Sequence, residues 1–440
     1  MNRILNSVLL ALLFNGFLGP SSLLAYAPKP ERPLEARFAD FDEKAKAGGQ
    51  LNVVFFGASL TWGANATDPQ QTSYRAEIAK RLTAKYPKAH FTFHDAAIGG
   101  TGSQLGVFRI DRDVARHKPD LVFLDFSAND DIYSDDPETL ASYESIVRRL
   151  VDELHVPVVQ VIFPFQWNVA AGKLDGMKRR EAHLAISQAY GTAVGDAIAL
   201  AQQRVAAGEI TIEALWPDDG VHPGDAGYQL FADAAWDAYL AAVKAETACS
   251  APEKMLYADT YMQNARVRIS SLGDLPAGWK VSRPHVVSAY FDMLMSRWLD
   301  DEVVASLPKE AAKKESVPMN ATAAAPAQVA PLKVRFVGTM VMLFGESTVN
   351  SVKYRATIDG KVITHKPHNA TEELSEFNAG GLANIVKGNT HLVQVIATGL
   401  KPGVEHTLEL QPIFTGAENE EIRLESICVA GPDAKVLPNN

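Results

Sequence analysis

The sequence predicts an α/β domain, a parallel sheet with helices on both faces, followed by a smaller all-β sandwich. Three observations carry this. Between Leu51 and Ala245, short and nearly continuous apolar runs alternate with segments of helical period. The runs lack in–out alternation, as a sheet covered on both faces requires. Beyond residue 331 the period changes to two, which marks antiparallel strands with one wet face.

Leu51–Phe56 is the first apolar run, broken only by Asn52. Phe91–Asp95 is a weaker strand candidate, and Leu121–Phe126 and Val158–Phe163 each carry one polar residue, Asp125 and Gln160. After Pro137, the residues Leu140, Tyr143, Val147, Leu150, Val151 and Leu154 fall on one helical face. Asp136 can cap that helix, and Pro137 suits its first position, where no amide donor is needed. After Gly224, the residues Tyr228, Phe231, Ala235, Tyr239 and Val243 form a second stripe.

Residues 316–331 are rich in Ala and Pro without charge, a linker composition. Val352, Tyr354, Ala356 and Ile358 then alternate with Lys353, Arg355 and Thr357, and Asp359-Gly360 follows as a hairpin turn. Leu392–Ala397, Thr407–Gln411 and Ile422–Val429 are further strands. The expected organisation is a signal peptide over 1–27, a catalytic domain over 28–248, a mixed connector over 249–331 and a β-sandwich over 332–440.

The 440 residues are 47% hydrophobic and 21% charged, an ordinary globular composition. A net charge of −10 speaks against a nucleic-acid partner. No long charge-free apolar run interrupts the body of the chain, which excludes a polytopic membrane protein. The N-terminus reads as an export signal: Arg3, the apolar stretch Val8 to Leu18, and the small-x-small site Ala25-Tyr26-Ala27. An uncleaved anchor is the alternative. Export implies a secreted or periplasmic protein, where Cys249 and Cys428 could form a disulfide or remain two thiols.

Ligands of open α/β sheets collect beyond the carboxyl ends of the strands. After the first run comes Gly57-Ala58-Ser59-Leu60-Thr61-Trp62-Gly63, which would expose a serine at a strand-to-helix turn. After the second comes Ile98-Gly99-Gly100-Thr101-Gly102-Ser103, and after the third Ser127-Ala128-Asn129-Asp130. Pro217-Asp218-Asp219-Gly220-Val221-His222-Pro223 supplies a carboxylate and an imidazole at Asp-x-x-His spacing. Each block alone is weak. Their order and their place in loops carry the reading.

Together the four blocks resemble the SGNH hydrolases, also called GDSL esterases and lipases, over residues 50–245. The run Gly224-Asp225-Ala226-Gly227-Tyr228 is also similar. Ala58 in place of Asp, and Ser127 in place of Gly before Ala128-Asn129-Asp130, depart from the pattern. The resemblance implies a flavodoxin-like three-layer α/β/α fold and ester hydrolysis. In it Ser59 is the nucleophile, His222 the acid–base and Asp219 its partner. The oxyanion hole is formed by Ser59, Gly100 and Asn129, and no metal or organic cofactor is needed. Asp218 is an alternative partner for His222. The C-terminal module resembles galactose-binding-like or jelly-roll sandwiches.

Trp167 could wall the substrate pocket or pack at its rim, and Trp62 and Trp279 are equally open. His365-Lys366-Pro367-His368 could seed a metal site or be a surface loop. Export and an added sandwich suggest removal of short acyl groups, O-acetyl above all, from carbohydrate. The rivals are a lipase or lysophospholipase, a glycan O-acyltransferase, a non-catalytic glycan-binding protein and a structural envelope protein. An acylated small molecule or glycan is the expected partner.

Overall fold

The computed structural model describes residues 35–286, 295–307, 329–366 and 371–438. The expected signal at 1–27 lies outside the described residues, as does most of the Ala/Pro-rich stretch.

Five parallel strands form the first sheet: β1 Gln50–Gly57, β2 His90–Ala97, β3 Leu121–Leu124, β4 Val158–Ile162 and β5 Ala193–Asp196. Their order is β2-β1-β3-β4-β5. Val53–Phe56 and all of β3 and β4 are buried, so these runs are continuous because helices cover both faces. The helices include α1 Phe38–Lys46, α2 Ser59–Trp62, α3 Tyr74–Lys85, α4 Pro137–Arg148, α5 Lys178–Tyr190, α6 Ala197–Ala206 and α7 Asp225–Lys244, with single turns between them. α7 packs with α1, α3 and α6, whereas α4 packs with α5, giving the two outer layers.

Asp136 caps α4 as expected, with Oδ2 accepting from the Thr139 amide at 2.9 Å, and Pro137 occupies the first turn. β3 ends before Asp125, whose carboxylate turns back to take the Ser127 amide and hydroxyl. β5 is a strand that periodicity misses. It is four residues long and carries no bulky side chain, because Gly195 lies against the backbone of Ala234 in α7.

The second domain is a two-sheet sandwich. Its strands are β6 Asn264–Arg268, β7 Trp279–Ser282, β8 Glu302–Ser306, β9 Leu332–Val337, β10 Met340–Ser347, β11 Lys353–Ile358, β12 Lys361–Val362, β13 Thr390–Ala397, β14 Glu405–Ile413, β15 Glu421–Ala430 and β16 Lys435–Leu437. One sheet runs β13-β10-β15-β8-β7, with β6 also on β15. The other runs β12-β11-β14-β9-β16, with Phe377–Asn378 on β11. Asp359 and Gly360 both have positive φ, +52° and +75°, the two-residue turn that joins β11 to β12.

The structure corrects one expectation here and decides between two open alternatives. Residues 249–331 are more than a connector, since β6 and β8 each pair with β15 and β7 pairs with β8 inside the sandwich. The partner of β6 and β8, β15, lies more than a hundred residues away, which local pattern cannot reveal. Cys249 and Cys428 are not bonded to each other; both are buried free thiols. Cys249 Sγ lies 3.2 Å from the Gly191 carbonyl in the first domain, while Cys428 pairs with Met342 inside the sheet. Burial pushes the two thiols up, to about 11 and about 12.

β10 explains how the domains join. Val341 and Leu343 enter the sandwich core, while Met340, Met342 and Phe344 join the core of the α/β domain. An antiparallel strand buried on both faces needs the continuous apolar run that β10 has. Among the described residues, no helix is long and apolar enough to cross a membrane.

Candidate active site

Ser59, Gly100 and Asn129 follow β1, β2 and β3, three adjacent strands of one parallel sheet. Parallel pairing brings their carboxyl ends to one edge, so the three loops converge there. Asp219 and His222 lie in the loop that leads into α7.

Ser59 opens the single turn α2, preceded by Ala58 in extended conformation. Its Oγ lies 3.0 Å from His222 Nε2. His222 Nδ1 lies 3.3 Å from Asp219 Oδ2. Asp219 Oδ1 accepts the backbone amides of Val221 and His222, each at 2.7 Å. A serine, an imidazole and a carboxylate in this sequence can pass a proton from hydroxyl to imidazole. Asp218, the alternative partner, is exposed, and His222 faces Asp219 instead.

Ser59 and His222 are 4% and 5% exposed, so both work largely out of water. Burial holds His222 below the ordinary imidazole value, and the Asp219 charge opposes this. A neutral imidazole at pH 7 is the form that accepts a proton. Partial burial raises Asp219, but the amides of His222 and Val221, the His222 ring and Asn65 outweigh it and hold the carboxyl low.

Gly100 adopts φ +73°, in the left-handed region that suits glycine. Its loop is tied to the next one by Asp130, whose Oδ1 accepts the Ser103 amide at 3.0 Å. Gly102 makes room, since a Cβ there would overlap that same oxygen. Asn129 is half-buried, and its amide borders a cleft shared with Asp131, Phe165 and Trp167. The two departures leave these loops in place. Ala58 is buried, and Ser127 Oγ links the strand ends by bonding Asp125 and taking the Phe163 amide at 2.9 Å.

Trp167 lies at the site, 49% exposed, tilted against Phe165 with ring centroids 4.8 Å apart and set against Gly220 of the histidine loop. Trp62 and Trp279 do not line that cleft. Trp62 packs with Ala64 and Ala97, and Trp279 is in the sandwich core with its Nε1 bonded to the Ala330 carbonyl. His365 stacks on Phe377 at 4.2 Å and pairs with the Glu376 carbonyl; Pro367 and His368 lie outside the described residues. Among the described residues, no cluster of three or more His, Cys, Asp or Glu side chains is arranged to hold a metal.

The sandwich also reaches the site. Its short helix α8, Gly381–Val386, brings Val386 onto the Trp62–Ala64–Ala97 cluster. A Cβ on Gly100 would lie 3.5 Å from Leu382. Gly100, Leu382 and the buried His391 border one small cleft. Nothing local in the sequence pairs residue 100 with residue 382. Sequence reading also misses Asn65, whose Nδ2 donates to Asp219 Oδ2 at 2.9 Å.

Residues 55–230 match the GDSL-like Lipase/Acylhydrolase family. No protein of curated function matches the chain. Among solved structures, a two-domain esterase, CEX, active on acetylated mannans, is 22% identical, with TM-score 0.69 over 90% of this chain and 95% of that one. The same esterase co-crystallised with mannopentaose gives 22% identity and TM-score 0.68 over 91% and 97%. That likeness establishes a shared two-domain fold. With a family match that spans the serine, glycine, asparagine and histidine blocks, residues 55–230 are a GDSL-like lipase/acylhydrolase domain, of the SGNH type that hydrolyses carboxylic esters, and a C-terminal β-sandwich follows it.

Proposed function

We propose that the protein is an exported serine esterase that removes short acyl groups, O-acetyl above all, from carbohydrate. The observation that carries the catalytic part is the chain of contacts Ser59–His222–Asp219 at the carboxyl edge of the sheet. His222 takes the Ser59 proton as Oγ attacks the ester carbonyl. Asp219 fixes the imidazole's tautomer and balances its cationic form. The amides of Ser59 and Gly100 and the side-chain amide of Asn129 receive the oxyanion. His222 then protonates the leaving alcohol, and water repeats the sequence on the acyl-enzyme.

The carbohydrate part draws on different support. An exposed Trp167 beside Asn129 offers a flat apolar face of the kind sugar rings stack on. The sandwich borders the Gly100 loop, so a bulky alcohol component meets both domains. The likeness to CEX, an esterase of acetylated mannans, extends over both domains. The sequence signal at 1–27 supports export to the cell envelope or beyond.

Labelling with a fluorophosphonate probe tests the catalytic part: wild type labels and Ser59→Ala does not. Aryl esters of rising chain length test the acyl part, with acetate preferred. Preference for chains beyond about eight carbons would point to a lipase instead.

A further inference from the structure

We propose that Asn65 is a positioning residue for the acid–base pair, holding the Asp219 carboxylate, and through it His222, in register with Ser59. This rests on the catalytic reading above and adds a residue to it. Asn65 follows the nucleophile turn, in Gly63-Ala64-Asn65, with φ +65°. That left-handed conformation is one that asparagine tolerates better than most residues with a side chain. Its Nδ2 donates to Asp219 Oδ2 at 2.9 Å, the same oxygen that faces His222 Nδ1 at 3.3 Å.

The other oxygen, Oδ1, is taken by the amides of Val221 and His222. Three of the groups around the carboxylate therefore belong to its own loop. Asn65 comes from the nucleophile's segment and bridges the two halves of the site. It is also the nearer of the two side-chain groups on Oδ2.

The segment around Asn65 is fastened in place without it. Tyr228 donates its hydroxyl to the Ala64 carbonyl at 2.6 Å. Asp225 accepts the Thr67 amide and the hydroxyls of Thr67 and Thr72 at 2.6 to 2.9 Å. These bonds tie the loop to α7, so the Asn65 amide is not needed merely to hold the backbone there. What it alone supplies is a neutral donor on the oxygen that serves the imidazole. That donor spreads the carboxylate charge and limits the turning of the carboxylate plane. Without it, Oδ2 grips the imidazolium more tightly and His222 holds its proton to higher pH.

The test uses two variants of the full chain, with kcat, KM and Tm measured across pH on an aryl acetate. Asn65→Gly keeps the left-handed backbone and deletes the donor. Asn65→Asp keeps the shape and sets a carboxylate against a carboxylate. Loss of the donor should lower kcat about tenfold in Asn65→Gly, with KM within about twofold. In Asn65→Asp, kcat should fall further and the acid limb of kcat/KM should move up by about one pH unit. Wild-type kcat in Asn65→Gly overturns the proposal. So does a lowered Tm with unchanged pH profiles in both variants, which marks a purely structural role. Ser59→Ala is measured alongside. If it stays active, the triad assignment fails and this proposal with it; if it is inactive while both Asn65 variants match wild type, this proposal alone fails.

Discussion

Replacing Asp219 by Asn probes the site most sharply, because it removes a charge and little else. Oδ1 of the new amide can still accept from Val221 and His222, so the loop keeps its shape. The new NH2 then stands where Oδ2 stood, 2.9 Å from the Asn65 amide and 3.3 Å from His222 Nδ1. Donor meets donor on both sides. His222 escapes by moving its proton to Nε2, the nitrogen that must be bare to take the Ser59 proton. A wrong tautomer of this kind costs about 10³–10⁴ in kcat, or about 4–5.5 kcal/mol of barrier.

The pH profile supplies an independent check. Activity needs neutral His222, so kcat/KM falls as pH drops through its pKa. Burial already holds that value below the ordinary imidazole range, and the Asp219 charge is what raises it part of the way back. The wild-type acid limb should therefore have its midpoint below about 6.5, and Asp219→Asn should move it lower still. Steady-state hydrolysis of an aryl acetate from pH 4 to 9 reads both quantities. A kcat loss under about tenfold, or an acid limb that moves upward, would refute the tautomer argument.

Asn129→Ala removes one oxyanion donor and should lower kcat about 10²–10³-fold with KM nearly unchanged; a change confined to KM would remove Asn129 from the oxyanion hole. Trp167→Ala should raise KM for an acetylated oligosaccharide several-fold and leave that for an aryl acetate alone, and equal effects on both would argue against sugar stacking at Trp167. In the sandwich, burial and the neighbouring Glu346 charge push Glu302 well above the carboxylate range, while Arg423 opposes them. A raised folded-state value adds stability that is fully present below the ordinary carboxylate range and is lost as pH rises through the raised one. Thermal denaturation should show wild-type Tm falling across that window and Glu302→Gln falling less, and identical slopes would sink the assignment.

The local features of the fold are legible in the sequence. β1 and β4 announced themselves because both of their faces are buried. The cap at Asp136 and the turn at Asp359-Gly360 are read from neighbours in sequence. Ser59, His222 and Asp219 stand in short blocks, each weak alone, whose set and order resemble the SGNH hydrolases. β5 left no signal, since Gly195 accommodates close approach of α7 instead of burying a large side chain. β6 and β8 leave no sheet signal of their own because a strand's sheet is chosen by its distant partner, here β15, and β7 is then held by β8. The thiols illustrate the same limit: both enter the core of the first domain, yet each lies against partners distant in sequence, Gly191 for Cys249 and Met342 for Cys428.

By itself, then, the amino-acid sequence determined the two fold classes, which follow from interactions within a few residues: period, capping and turn geometry. It offered Ser59, His222 and Asp219 as acid–base candidates through the set of blocks that resembles the SGNH hydrolases, with Asp218 still open. The tertiary structure decided what depends on separated segments meeting. It placed Asn65 on Asp219, selected Asp219 over Asp218, gave β10 a second buried face and set Leu382 of the sandwich beside Gly100. Contacts of that kind are fixed by how whole surfaces pack, and no local pattern encodes them.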